Sequence, residues 1–165
     1  AFVAELVAGQ GLYVNDAFST AHRAHAVLRK RLGLQSRIRA IFEPQQMLPA
    51  AGQGALGIEV RSDRADVIAA LAPLMHQLTW LAVSAARAVS RVMGGSCSMP
   101  LAAHAVFSGD VLKINAAWGD PEGQMPLVQT QALASVSDTA AAVRLGEQVA
   151  AALQAGVEQA TGKAH

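Results

Sequence analysis

The residue with the clearest chemical capacity is the single cysteine, Cys97, within residues 94–100 (GGSCSMP), here named the cysteine loop. A lone cysteine is most often a small buried apolar residue. Two glycines, two serines and a proline fill no core, however, and loops lie at the surface. An accessible thiol that could carry a covalent group is therefore the competing interpretation. A single cysteine excludes an internal disulfide and a cysteine-based zinc cage.

Histidines and basic residues are the other candidates. His22 and His25 lie three residues apart on one face of a predicted helix, and His76 and His104 are the further possible ligands. A zinc site needs several convergent ligands, so we expect no metal. Residues 29–39 contain five basic residues without interleaved aromatic residues, which predicts a solvated face rather than a nucleic-acid site.

The composition is that of a folded domain. Of 165 residues, 52% are hydrophobic and 15% are charged, which excludes an intrinsically disordered chain. The net charge of +1 gives no general attraction to nucleic acid. Apolar runs are much shorter than the roughly 20 residues of a membrane span, and no basic region precedes an apolar stretch at the start. We therefore expect no membrane partner and a cytoplasmic location.

Hydrophobic periodicity divides the chain into two parts. Residues 1–64 predict a small α/β lobe with a mixed sheet, and residues 66–165 predict an α+β domain with a three-stranded antiparallel sheet packed with helices. In the first lobe we expect helices over 2–8 and about 20–32, strands over 12–18, 37–42 and 55–60, and a loop over 43–54. In the second we expect helices from Ser62 or Asp63 to about 74, over 79–93, and from Ser137 or Asp138 to about 156, with strands over 101–107, 111–118 and 125–134.

Two segments resemble porphobilinogen deaminase, also called hydroxymethylbilane synthase. Residues 48–61 (LPAAGQGALGIEVR) resemble its hinge segment, and residues 85–88 (AARA) with the cysteine loop resemble its cofactor loop at gapless spacing. The resemblance runs from about residue 29 to the end. It implies that Cys97 attaches a dipyrromethane cofactor through a thioether and that four porphobilinogens are condensed with release of ammonia. It also implies that the catalytic aspartate and most carboxylate-binding arginines belong to the family's N-terminal half.

The sequence departs from the deaminase pattern at three positions. Ala86 stands where the family has glutamate, Met75 where a polar residue is usual, and Val60 where cysteine is frequent. Small or apolar replacements suit a surface that has become buried, or the deliberate removal of a spare thiol.

The first 26 residues resemble a different family. Residues 13–26 (YVNDAFSTAHRAHA) are similar to a segment of phosphoglycerate kinase, with Ser19 where glycine is usual. That resemblance implies a phosphate-binding role for Arg23. The glycine-rich nucleotide segments and the second domain of the kinase have no counterpart here, and phosphoryl transfer needs several positioned cations and a metal. We therefore expect no kinase activity.

Three functional hypotheses follow. The first is a chimeric or engineered scaffold without turnover, with a free Cys97 thiol and no cofactor as purified. The second is a deaminase-like transferase with dipyrromethane on Cys97, its missing half supplied by a partner. The third is an anion-binding module around His22 and Arg23. In each case the small first lobe leaves apolar side chains such as Leu56 and Ile58 in need of cover, which predicts a homo-oligomer formed through that lobe.

Overall fold

Two long helices pack on one face of a three-stranded antiparallel sheet. A computed structural model describes residues 43–96 and 99–162. The elements, in chain order, are α1 (Ala65–Leu71), a 3-10 turn (Ala72–Leu74), α2 (Gln77–Val92), β1 (Leu101–Ser108), β2 (Val111–Trp118), β3 (Val128–Ser135) and α3 (Thr139–Gly162). The strand order is β1-β2-β3, so the sheet is a simple meander.

A tight hairpin fixes the register of β1 and β2. Ser108 pairs with Val111, which leaves a two-residue loop, and Gly109 occupies its first position at a φ of 60°. A glycine in that position suits the type II′ turn, whose twist matches the flanking strands. The register places Ala103, Leu112 and the other inward residues against the helices.

The core lies between the sheet and the two helices. The helix α3 buries Ala142, Leu145, Val149 and Leu153, whose spacing of three or four residues keeps them on one face. The central strand contributes the fully buried Leu112 and Ile114, and α2 contributes an equivalent face at 81, 85, 88 and 89. This packing fixes the position and direction of α2, whose C-terminal end leads into the cysteine loop.

Side-chain caps and a carboxylate-centred turn set the boundaries of the other elements. His76 Nδ1 accepts from Thr79 N (3.3 Å) at the start of α2, and Asp138 Oδ1 accepts from Ala141 N (2.8 Å) at the start of α3. Between β2 and β3, the Asp120 carboxylate accepts from backbone N–H groups of three residues of the turn that follows it. These hydrogen bonds, led by that from the N–H of Glu122, lower the pKa of the Asp120 carboxyl group.

The predicted fold class is confirmed, and the antiparallel meander between two helices has the expected order. Three boundaries differ. Arg64 is the N-cap of α1 and makes no side-chain capping hydrogen bond; Asp63, one of the two predicted caps, pairs with Arg61 instead. The third strand begins at Val128 because the turn extends to Met125, whose N–H donates to Asp120. The last helix continues past Gly156, which lies close to a β3 side chain and does not end it.

The strand predicted over residues 55–60 is wrong. Leu56 and Ile58 do alternate with less apolar residues, but residues 55–60 form no ladder with any described strand. Leu56 is 85% exposed and Ile58 54% exposed. A strand requires a hydrogen-bonded neighbour, and the other strands predicted for this lobe, over 12–18 and 37–42, lie outside the described residues.

The other elements predicted for residues 1–42 also lie outside the described part of the chain. The division into lobes at residues 64–66 therefore remains a prediction. Among the described residues, no single helix is long and apolar enough to cross a membrane; the pair Ala65–Leu74 and Gln77–Val92 meets that test jointly but is bent by 102°.

Candidate functional site

A double glycine ends α2 and starts the cysteine loop. Gly95 N donates to Ser90 O (2.7 Å) and Gly94 N donates to Arg91 O (3.2 Å). These are the two hydrogen bonds of a Schellman motif, in which the residue after the helix adopts the left-handed conformation. Gly94 has that conformation, with a φ of 67°. The helix therefore ends at a defined residue and sends the chain toward Cys97.

The two glycines are required for different reasons. A side chain at Gly94 would meet no atom within 4 Å, but its positive φ disfavours any residue with a Cβ. A Cβ at Gly95 would lie 2.3 Å from Ser90 Oγ and 2.9 Å from Ser90 O. Gly94 is thus fixed by backbone conformation and Gly95 by close approach to Ser90.

Hydrogen bonds also fix the far side of the loop. Met99 N donates to Ser96 O (3.1 Å), Leu101 N donates to Met99 O (2.8 Å), and Gly119 N donates to Pro100 O (2.9 Å). Cys97 itself lies outside the described residues.

A turn at residues 50–55, here named the hinge turn, packs against α2 beside this site. Gly52 adopts a φ of 78°, and a Cβ there would lie 3.5 Å from Val83 Cγ1 and 3.8 Å from Arg87 Cγ and Cδ. Pro49, the residue before the hinge turn, is joined to the sheet, since Ala103 N donates to Pro49 O (3.1 Å). The hinge turn thereby lies against the aliphatic part of Arg87.

Two arginines line a polar groove next to the double glycine. Arg87 and Arg91 lie one helical turn apart on α2, both exposed. A groove of about 550 Å³, here named the arginine groove, is lined by Ala51, Arg87, Ser90, Arg91, Gly94 and Gly95. The two ion pairs among the described residues both lie within residues 61–66, so neither arginine has a carboxylate within 4 Å in that part of the chain.

Neither arginine was predicted as a site residue from the sequence. The cations singled out there, Arg23 and the basic residues of 29–39, lie outside the described residues. The available signal was the spacing of Arg87 and Arg91, four residues apart in the helix that stops immediately before Cys97.

A second surface lies on the sheet face opposite the helices. His104, Asn115 and Gln131 are directly opposite one another across the three strands. They line a groove of about 1010 Å³ between this face and residues 44–50. Partial burial lowers the pKa of His104. Along residues 43–96 and 99–162, no group of three or more metal-ligating side chains is close enough to hold an ion.

The three departures from the deaminase pattern behave differently. Ala86 is 3% exposed, as expected for a covered position. Val60 is half-buried, whereas Met75 is 59% exposed, so burial does not account for the apolar side chain at Met75. Met75 lies between the 3-10 turn and α2, where the described structure provides no covering element.

Comparison with known proteins identifies the class of this helix-covered sheet and its cysteine loop. The profile described as "Porphobilinogen deaminase, C-terminal domain" matches residues 80–155, which include Cys97 and the arginine groove except Ala51. The profile described as "Porphobilinogen deaminase, dipyromethane cofactor binding domain" matches residues 16–69. Together the two matches cover most of the sequence, and the chain belongs to the porphobilinogen deaminase family.

Individual relatives agree with this assignment. The chain is 70% identical over 128 residues to a porphobilinogen deaminase of Albidiferax ferrireducens, covering 78% of this chain and 41% of the relative. It is 53% identical over 125 residues to that of Paraburkholderia phytofirmans (76% and 36%) and 50% identical over 125 residues to that of Burkholderia thailandensis (76% and 38%). The chain thus spans about two fifths of the length of these relatives.

The comparisons give no support to the kinase resemblance. The deaminase match begins at residue 16 and therefore includes part of the segment, residues 13–26, that resembled phosphoglycerate kinase. The comparisons equally provide no indication of a chimera. The phosphate-binding role of Arg23 stays a prediction.

Proposed function

We propose that this chain is the cysteine-bearing part of a porphobilinogen deaminase and that Cys97 carries its dipyrromethane. The observation that carries the proposal is the helix stop at Gly94 and Gly95, which fixes the start of the cysteine loop within a segment matching the family's C-terminal domain. This deaminase interpretation has more support than an inert chimeric scaffold, because both family matches and all the relatives described above point to the same enzyme.

The charge of the described site is compatible with this cofactor. A dipyrromethane carries acetate and propionate groups, and the arginine groove offers two guanidinium groups without acidic partners among the described residues. Arginine forms bidentate hydrogen bonds with carboxylates. When bound, the dipyrromethane supplies the primer to which further pyrrole units are joined.

Each part of the chain would have a separate task. The Cys97 sulfur would bond to the aminomethyl carbon of porphobilinogen as the carbon–nitrogen bond breaks, and the thiol proton would leave with the nitrogen as ammonia. The Schellman motif and the Ser96–Met99 hydrogen bond would limit the space that the attached group explores. The resemblance places the catalytic aspartate in the family's N-terminal half, so turnover to hydroxymethylbilane is proposed for this chain together with that half.

An intact-mass measurement tests cofactor attachment. The chain would be produced alone and co-expressed with the remaining portion of the Albidiferax ferrireducens relative, each with a Cys97→Ala control. We expect a mass increment of one dipyrromethane on the wild-type chain in at least the co-expressed sample, and none on the variant. An unmodified wild-type chain in both samples, or the same increment on the variant, would overturn the proposal.

We also propose that the chain self-associates through residues 55–60. Support comes from the exposed Leu56 and Ile58, whose segment forms no ladder with any described strand. Sedimentation should show an assembly larger than a monomer, with Leu56→Asp and Ile58→Asp lowering its mass. Leu127→Asp changes another exposed apolar residue and is the matched control. A monomer at high concentration, or equal effects of all three substitutions, would refute this interface.

A further inference from the structure

The two edge strands of the sheet differ in how their outer backbone groups are satisfied. In β1, Ala103 directs its N–H away from β2 and donates it to Pro49 O (3.1 Å), so the residue before the hinge turn covers part of that edge. At the other edge of the sheet, β3 pairs with β2 along all eight of its residues. Among the described residues, none outside β2 makes a backbone hydrogen bond with β3. The outer edge of β3 is therefore open in the part of the chain that the structure describes.

The hairpin register determines which β3 residues have their backbone groups on this open edge. Ser108 and Val111 close a two-residue loop and therefore exchange both of their hydrogen bonds. Residues alternate along an antiparallel pair, so Leu112 and Ile114 form hydrogen bonds with β3 rather than with β1. The β3 residues whose N–H and C=O groups point outward are consequently Gln129, Gln131, Leu133 and Ser135. The side chains of all four are exposed.

The sequence of β3 has none of the features that keep natural edge strands from pairing. Those features are charged side chains, proline, a bulge or a short length. Residues 128–135 (VQTQALAS) contain no charged residue and no proline, and their register with β2 is continuous. The helix α3 packs on both β2 and β3 from one face of the sheet, which leaves the hydrogen-bonding edge uncovered. The edge of β3 is therefore suited to accept a further strand.

We propose that β3 pairs with β3 of a second copy of this chain, antiparallel about a two-fold axis, which joins the three strands of each copy into one continuous sheet. This pairing is isologous, so each residue lies opposite a residue of the same strand. A charge in β3 would lie beside a like charge, and residues 128–135 contain none. A register centred on Ala132 places Gln131 opposite Leu133 of the second copy and forms up to about eight backbone hydrogen bonds, two at each of four residue pairs.

This register also removes an exposed apolar side chain from water. Leu133 is 61% exposed on the sheet face opposite the helices. In the paired sheet it would lie diagonal to Leu133 of the second copy, at a distance of about 7–8 Å that long side chains can bridge. A shift of one residue would place the helices of the two copies on opposite faces of the sheet and separate these leucines. The main-chain hydrogen bonds would thus supply the affinity, and the leucine contact would favour the register.

Sedimentation velocity of the full chain tests this interface. Leu56→Asp and Ile58→Asp would be present in every sample, so that association through residues 55–60 does not contribute. In that parent chain, Gln131→Pro removes one outward N–H and leaves the ladder between β2 and β3 intact, because Gln131 directs this group away from β2. Leu133→Lys brings two positive charges close together across the two-fold axis.

Val106→Lys is the matched control. Val106 is 47% exposed on the same face of the sheet, but it lies on β1, the other edge strand. Val106 and Leu133 both pair with Lys113 in the sheet, so a lysine at either position meets the same charge within its own chain. The control therefore separates repulsion within one copy from repulsion between two copies.

We expect the parent chain to form a dimer and Gln131→Pro to raise its dissociation constant at least about tenfold, because the two-fold interface loses two backbone hydrogen bonds. Leu133→Lys should raise the dissociation constant about tenfold at low ionic strength, and by less in about 0.5 M salt. Val106→Lys should leave it unchanged. Circular dichroism would show that each variant is folded, and Leu133→Lys tests the interface even if Gln131→Pro does not fold.

A monomeric parent chain would overturn the proposal. A dimer that Leu133→Lys weakens no more than Val106→Lys does would overturn it as well. The result is independent of the intact-mass experiment, because the open edge of β3 is present whether or not a cofactor is attached. It is also independent of the interface at residues 55–60, which the two aspartate substitutions remove from every sample.

Discussion

Gly95→Ala is the substitution that most directly tests how the cysteine loop is positioned. The added Cβ would lie 2.3 Å from Ser90 Oγ and 2.9 Å from Ser90 O. The first contact is with a side chain that can rotate. The second is with the backbone carbonyl that accepts the 2.7 Å hydrogen bond from Gly95 N. The substitution should therefore loosen the helix stop without changing the chemistry of the loop.

The expected cost has two parts. Turning the Ser90 side chain out of its preferred rotamer costs about 0.5–1.5 kcal/mol. Weakening the Gly95 N to Ser90 O hydrogen bond loses a net contribution of about 0.5–1.5 kcal/mol. The free energy of unfolding should therefore fall by about 1–3 kcal/mol. Gly94→Ala meets no neighbour and should lose about 1–2 kcal/mol through its left-handed conformation alone.

Urea denaturation followed by circular dichroism measures these differences, and thermal unfolding should show a loss of about 2–4 °C per kcal/mol. A Ser90→Ala background separates the two parts, because it removes the hydroxyl and leaves the carbonyl. Gly95→Ala should cost less in that background, whereas Gly94→Ala should cost the same in both. A Gly95→Ala chain as stable as the wild type, or an identical cost in the two backgrounds, would refute this account of the loop.

Three further predictions concern the scaffold. Gly146→Ala would place a Cβ 2.2 Å from Ala85 O. The overpacking cost of about 1–3 kcal/mol should exceed the helix-propensity gain of about 1 kcal/mol and lower the urea midpoint. Gly162→Ala, which meets no neighbour within 4 Å, should not lower it, and equal midpoints for the two variants would contradict this prediction. Because burial lowers the pKa of His104 in the folded state, the unfolded chain binds more protons just below about pH 6.5, so stability should fall as the pH drops from 8 to 5.5. His104→Gln should make the urea midpoint less dependent on pH over that range, and an unaltered slope would count against the argument. Asp120→Asn should lower the thermal midpoint at pH 7, and the difference from the wild type should narrow as the pH falls below about 4. The reason is that the carboxylate stabilises the fold above its unfolded-state pKa and loses that effect as it is protonated. Equal midpoints at pH 7 would show that the charge is dispensable.

Local patterns were sufficient for the sheet and its helices. The Ser108-Gly109-Asp110 run predicted a hairpin because glycine satisfies the first loop position and the flanking residues alternate. The helices were predicted from apolar residues three and four apart, ended in α2 by Gly94 and Gly95. In these elements the decisive interactions lie within a few residues of one another, and a sequence displays such interactions directly.

Longer-range partners explain the errors. The segment around Leu56 and Ile58 has a strand pattern, but a pattern does not supply a neighbouring strand, and among the described residues none lies beside it. The turn before β3 is longer than expected because the Asp120 carboxylate reaches as far as Met125 N. The helix α3 continues through Gly156 because that glycine faces the sheet rather than a turn. Each outcome depends on which atoms come to lie nearby.

The site shows the same division between local and distant information. Two glycines before a cysteine predicted a helix end and an open loop, and the Schellman hydrogen bonds confirm the helix end. The sequence did not indicate what lies beside that end, because Ala51 is far from Arg87 in the chain and reaches it only through the hinge turn. The basic segment at 29–39 is conspicuous in the sequence, whereas Arg87 and Arg91 lie on an otherwise ordinary helix. Their significance comes from geometry: the helix that is stopped by Gly94 and Gly95 also carries both guanidinium groups, so a single packed element positions the loop and the charge together.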